Sequence, residues 1–175
     1  MPLSRACNKI YKEKIMSKYV SPLRYPGGKL KVVDYVKQLM DVNDLRGGTY
    51  IEPYAGGASV ALSLLFDGYA GKIKINDKDR AIYAFWHSVL NDTDALCRMI
   101  ADTPVTMETW QVQHELQKHK GDADVLELGF STFFLNRTNR SGILNGGVIG
   151  GKEQTGTWKI DARYNKKDLI ERIES

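Results

Sequence analysis

From Lys29 the apolar positions Leu30, Val33, Val36, Leu39 and Met40 recur at helical spacing, which predicts a helix ending near Asp41. The Arg46-Gly47-Gly48 turn leads into Thr49-Tyr50-Ile51-Glu52, a short predicted strand. Ala55-Gly56-Gly57 then turns the chain into a second helix from Ala58 to about Phe66, closed by Asp67-Gly68. Lys72-Ile73-Lys74-Ile75-Asn76 alternates with period two and predicts another strand, followed by a helix from Asp77 to Leu90. Strand, helix, strand, helix with short turns is the pattern of a parallel sheet with crossover helices, so the fold class is α/β. Residues 92–103, 106–119 and 122–138 read as mainly helical. Six glycines between 141 and 157 break the periodicity and predict a mobile loop or hairpin, and a last helix is expected over Lys166 to Glu174.

Composition adds limits. The chain has 175 residues and is 42% hydrophobic, enough for roughly one domain with a real core. No run approaches the ~18–20 apolar residues of a membrane span, and the charged N-terminus lacks a secretory leader, so the reading is a cytoplasmic protein with no membrane partner. Cys7 and Cys97 are too few for a disulfide framework or a cysteine-rich metal site. His114-Glu115-Leu116-Gln117-Lys118-His119 places its second histidine one position too late for the zinc-binding H-E-x-x-H pattern, so no metal is expected. His87 is read as capping or packing on its helix.

The net charge of +4 conceals a segregation. Residues 1–31 carry eight basic side chains and one acidic, residues 32–135 nine basic and fifteen acidic, and residues 136–175 eight basic and five acidic. Basic ends around an acidic middle suit a polyanion held between them, although residues 1–15 read more simply as solvated lysines on a tail. Met16 opens a more regular stretch, which makes residues 1–18 a basic extension upstream of the domain.

The candidate chemistry begins at Glu52-Pro53-Tyr54-Ala55-Gly56-Gly57. A strand ending in a glycine turn that opens a helix brings backbone N–H groups to the carboxyl edge of the sheet, where open α/β folds bind ligands. Asp77 follows Glu52 by 25 residues, at the end of the next strand, where a carboxylate can accept from both hydroxyls of a ribose. This is not G-x-G-x-x-G, and the turn alone reads equally as nucleoside-binding or structural. In Arg24-Tyr25-Pro26-Gly27-Gly28-Lys29, the aromatic can cover an adenine or a sulfonium and the lysine can pair with an amino-acid carboxylate, roles that suit S-adenosylmethionine. Taken singly, Tyr25 also reads as a packing residue and Lys29 as an ordinary helix-start residue.

Together these segments resemble the Dam-like family of N6-adenine DNA methyltransferases. Tyr25, Gly28 and Lys29 match its aromatic-x-Gly-Gly-Lys motif, with tyrosine where tryptophan is common. Glu52, Pro53, Tyr54, Gly56 and Gly57 match its Glu-Pro-Phe/Tyr-x-Gly-Gly motif, and Asn76-Asp77 its acidic strand end. The resemblance implies a Rossmann-like, S-adenosylmethionine-dependent methyltransferase sheet with a mainly helical DNA-recognition insert. It implies that Tyr25, Lys29 and Asp77 contact S-adenosylmethionine and that Tyr54 packs near it. The cofactor part is placed at residues 19–91 and the target-recognition region at residues 92–175.

Phe133-Phe134-Leu135-Asn136-Arg137-Thr138 resembles the segment that in this family leads into a loop entering DNA. Arg137 and Arg140, at the start of the glycine-rich stretch, are placed to approach phosphates closely. The segment from Trp158 to Lys167 adds basic and aromatic side chains, so Asn136, Arg137, Arg140, Arg163 and Lys166 are the expected contacts to double-stranded DNA. A basic surface hairpin without a ligand is the alternative.

The family's catalytic Asp-Pro-Pro-Tyr is absent: the five prolines are Pro2, Pro22, Pro26, Pro53 and Pro104, none adjacent. The expectation is therefore an N-terminal part of a site-specific adenine N6-methyltransferase, carrying the cofactor pocket without its catalytic loop and inactive alone. A parallel sheet without its later strands would also self-associate through its exposed edge. The competing expectation is a non-catalytic DNA- or cofactor-binding module, or a split subunit completed by a partner chain; a nicotinamide-dependent enzyme is a weaker third, against the missing fingerprint.

Overall fold

The structure, a computed structural model, describes residues 21–175. The basic extension expected at residues 1–18, with Cys7 and Met16, lies outside the described residues. A 3-10 turn over Lys29–Val32 leads into α1 (Val33–Val42), followed by β1 (Thr49–Glu52), α2 (Ser59–Phe66), β2 (Lys72–Ile75), α3 (Arg80–Asn91), α4 (Thr93–Asp102), α5 (Met107–Lys118), α6 (Val125–Thr138) and α7 (Lys166–Glu174). A second 3-10 turn, Arg140–Gly142, follows α6.

β1 and β2 pair in parallel, with Thr49 opposite Lys72 and Glu52 opposite Ile75. The helix α2 between them is the crossover that parallel pairing requires. The expected order of elements holds, but the first helix differs. It begins as a tighter turn, and only Val33 and Met40 of the periodic set reach the interior, while Leu30 and Leu39 stay exposed. Val33 and Met40 pack with Val60, Leu64 and Ala70 into a small cluster behind the sheet.

The later helices start where side chains can satisfy their free N–H groups. Asp79 accepts from Ala81 N, Thr106 from Thr109 N, and Asp124 from both Leu126 N and Glu127 N. Helix α6 is buried from Leu128 through Thr138. Phe133 on α6 stacks on Phe85 of α3 with centroids 6.0 Å apart, and Tyr164 meets Phe133 edge-on at 5.7 Å. One contiguous core thus joins α3 to α7 with Leu23 and Ala55 of the sheet side.

The sheet is thinner. Tyr50 and Ile73 face the core, whereas Ile51 on the opposite face is 60% exposed. At the start of α2, Ala58 adopts left-handed backbone (φ 50°, ψ 28°) with its methyl group fully buried. The glycine-rich segment forms a short hairpin closed by the antiparallel bridge Asn139↔Val148, with Arg140 N donating to Gly147 O and Ile149 N to Thr138 O. Among the described residues no helix is long and apolar enough to cross a membrane.

Candidate functional site

Parallel pairing brings the carboxyl ends of β1 and β2 side by side, and the chain leaves both in tight turns. Ala55 N donates to Asn76 O at 2.9 Å and Asn76 N to Glu52 O at 3.0 Å, so the two exits are tied backbone to backbone. Asp77 fastens the same junction through its side chain. Its Oδ2 accepts from Gly56 N at 2.8 Å and its Oδ1 from Asp79 N at 2.9 Å. A carboxylate offers about four acceptor positions, so each oxygen of Asp77 retains capacity for another donor.

Glu52 ends β1 pointing into the protein, 4% exposed. Its Oε2 accepts from Ala61 N at 3.1 Å, in the first turn of α2, where a negative charge is favourable. Its Oε1 lies 3.0 Å from Lys29 Nζ, an ion pair without hydrogen-bond alignment. Lys29 instead directs a hydrogen bond of 2.6 Å to the carbonyl of Tyr54 and remains 47% exposed. The lysine of one motif is thus held by the acid and the backbone of another.

Gly56 is where the third contact falls. It has φ 50°, and a Cβ there would lie 3.0 Å from the ring of Tyr25, so a side chain is opposed by backbone and by space together. Its carbonyl accepts from Trp86 Nε1 at 2.9 Å. Gly57 is close to Tyr25 Cβ and Ser21 Oγ, and Gly28 N closes the Tyr25 turn by donating to Tyr25 O at 3.0 Å. Tyr25, Gly28, Lys29, Glu52, Gly56, Gly57 and Asp77 therefore converge from three separated segments, and Tyr54 joins them through its carbonyl while its ring is exposed.

Beside Asp77 a cleft of about 120 Å³ is lined by Ile75, Asn76, Tyr83, Trp86, His87 and Leu90. It has room for one ring of a ligand. Trp86 was not singled out from sequence. On an amphipathic helix it reads as core, and only the need of its buried indole N–H for an acceptor signals a second role.

The residues expected on the DNA side divide. Arg140 and Arg163 are exposed and line a larger groove of about 990 Å³ with Ser141, Ile149, Gly150 and Trp158. Asn136 and Arg137 are turned inward. Arg137 is 7% exposed, its Nη2 donates to the carbonyl of Pro22, and its Nε has no partner among the described residues. Burial, with the nearby charges of Arg172 and Arg24, holds the Arg137 guanidinium below its ordinary pKa. Asn136 bonds to the backbone of Arg24 and Gly142. Lys166 donates to Ala101 O at 2.6 Å and Thr103 O at 2.8 Å, closing the C-terminal end of α4 where a cation is favourable.

The histidines are engaged locally. His114 stacks on Trp110 at 4.8 Å, His119 lies 3.4 Å from Glu115, and His87 lies 3.9 Å from Asp92. Burial raises the Cys97 thiol above its ordinary value, away from a reactive thiolate.

The chain is 25% identical over 134 residues to the Type II methyltransferase M.MjaIII of Methanocaldococcus jannaschii, a match covering 69% of this chain and 46% of that protein. The chain therefore spans about half the length of the curated relative it matches. Residues 25–145, from the Tyr25 turn through α6 and into the glycine-rich hairpin, match a single family along their whole extent. With three motifs meeting at one sheet edge and a match running through all of them, the chain belongs to the D12 class of N6 adenine-specific DNA methyltransferases.

Proposed function

We propose that this chain binds S-adenosylmethionine at the carboxyl edge of β1 and β2, within a Rossmann-like methyltransferase fold, and that the protein to which it contributes methylates N6 of adenine at specific sites in double-stranded DNA. The observation that carries the reading is the convergence of Tyr25, Lys29, Glu52, Gly56 and Asp77 on one turn. The donor set fits the cofactor: Asp77 has acceptor capacity left for ribose hydroxyls, Lys29 is a partly exposed cation for a carboxylate, and the bare Gly56 backbone lets the Tyr25 ring sit directly against the turn, beside both. When bound, S-adenosylmethionine supplies the electrophilic methyl group.

The chain's own residues bind and orient. Asp77 holds the sugar against the cleft formed by Ile75, Tyr83 and Trp86. Glu52 keeps Lys29 at the edge of the turn, and Tyr25 offers an aromatic face for a cation. On the other side Arg140 and Arg163 approach phosphates, with exposed Trp158 as a stacking surface lining the same groove, inside a helical recognition region. Reaction at N6 requires an extruded adenine whose amine is held by acceptors. In this reading those acceptors come from outside these 175 residues, and the chain alone is inactive.

Titration calorimetry of the chain with S-adenosylmethionine and, separately, with NAD tests the reading. Saturable heat with S-adenosylmethionine alone is expected. Saturable NAD binding with no response to S-adenosylmethionine would overturn it.

A further inference from the structure

Asn136 sits in the last turn of α6, 2% exposed, and its amide is committed at both ends. Oδ1 accepts from Arg24 N at 2.8 Å; Nδ2 donates to Arg24 O at 2.6 Å and to Gly142 O at 2.9 Å. The pattern fixes the amide's orientation, because a flipped group would set its NH₂ against the Arg24 N–H. One side chain therefore reads both backbone groups of the residue before Tyr25 and simultaneously holds the residue after Ser141. The two backbone segments also touch directly. Gly142 has φ 75°, and a Cβ on it would stand 2.6 Å from Arg24 O and 3.0 Å from Asn136 Nδ2. Only glycine permits this approach.

The junction lies between the two places where ligands are proposed. Arg24 opens the turn that carries Tyr25 over Gly56 and leads to Lys29, while Gly142 ends the turn that places Arg140 and Ser141 in the large groove. Asn139 makes the second turn stiff, donating to Ile143 O and Leu144 O at 2.9 Å each and accepting from Trp110 Nε1 at 2.7 Å. A displacement of the Arg140 turn is thus passed to Arg24 rather than absorbed in a loose loop.

We propose that Asn136 is a positioning residue linking the two sites: through the Arg24–Asn136–Gly142 junction, DNA held at Arg140 and Ser141 fixes the Tyr25–Lys29 loop and tightens cofactor binding. The proposal rests on the reading of the two sites given above. It requires reciprocity, since a factor by which DNA tightens the cofactor is the factor by which the cofactor tightens DNA.

The test is the ratio of S-adenosylmethionine dissociation constants without and with saturating sheared genomic duplex DNA, measured by calorimetry on the full chain, with DNA affinity by fluorescence anisotropy as the reciprocal measurement. Wild type is expected to show a ratio of about five or more, the lower range of measured couplings. Asn136→Ala removes three buried hydrogen bonds and endangers the fold, so Gly142→Ala is the deciding variant: its methyl group pushes the two backbones apart at Arg24 O and crowds Asn136 Nδ2 while leaving every α6 side chain in the sequence. Its ratio is expected to fall to about one. A residue with only a structural role would weaken both ligands and leave the ratio unchanged, so a wild-type ratio in folded Gly142→Ala overturns the proposal. A ratio of one in wild type, with both ligands bound, overturns it while leaving the function reading intact. Failure of the wild-type chain to bind either ligand removes that reading and this one together.

Discussion

Helix α6 and the β1–β2 pair each position a loop, by opposite means. The hairpin after α6 leaves a helix buried for eleven successive positions, whose Phe130, Phe133, Phe134 and Leu135 are central to the main core. Displacing it would open that core. The loops beyond β1 and β2 leave strands of four residues whose outer face shows Ile51 to solvent, and they are placed by polar contacts: Asp77 to Gly56, Lys29 to Tyr54, Trp86 to Gly56. Apolar burial resists displacement whatever is bound, whereas a polar clasp can be retuned by the ligand that shares it. Substitutions on the helical side should therefore register in stability, and those at the strand ends in affinity.

The strongest challenge to that contrast is Phe133→Ala. Removing a fully buried ring stacked on Phe85 should cost about 3–5 kcal/mol in urea unfolding. A loss under about 1 kcal/mol would mean that α6 is not the rigid side. Asp77→Ala should do the reverse, weakening S-adenosylmethionine by at least about a hundredfold, the worth of two charged hydrogen bonds of about 1.5–3 kcal/mol each, while the chain stays folded by circular dichroism. Unchanged affinity would remove Asp77 from the site. Arg140→Ala, on the exposed rim of the groove, should leave unfolding unchanged and reduce the slope of log affinity for duplex DNA against log salt by about 0.9, one phosphate contact. An unaltered slope would take DNA away from that rim.

Tyr164→Phe should have the smallest effect, and it is visible only with pH. The Tyr164 hydroxyl is buried without a hydrogen-bond partner among the described residues, and burial raises its pKa. Between the unfolded value of about 10 and the higher folded one, the unfolded chain has released this proton and the folded chain retains it. The unfolded state then binds fewer protons, so this contribution is complete below pH ~10 and is lost as pH rises through the folded value. The phenylalanine variant should match wild type at neutral pH and lose less stability under alkaline melting. Parallel alkaline profiles would show that the hydroxyl is solvated.

Much of this architecture was legible in the residues because turn chemistry and period agree. The strand Lys72–Ile75 falls where alternation puts it, and Thr49–Glu52 and Lys166–Glu174 form the expected strand and helix. What escaped depends on tertiary context. Arginine and asparagine ordinarily stay at the surface, so nothing local marks Arg137 and Asn136 as interior groups that bind the Pro22 and Arg24 backbone. Lys166 is expected at DNA from its basic segment, and its bonds to Ala101 O and Thr103 O depend on where α4 ends, which nothing local shows. The tight turn at Lys29 coincides with its tether to Glu52 and Tyr54, partners more than twenty positions away that no periodicity within the helix can reveal.

Ala58 has a consequence for how such a chain can diverge. Left-handed backbone favours glycine over alanine by about 1–2 kcal/mol, and its buried methyl returns about 0.8 kcal/mol. The position can drift between those two residues at small cost. A larger side chain would need room in a closed interior, and a β-branched one would meet the backbone. Mutational drift at the start of α2 is thereby confined to a two-letter alphabet.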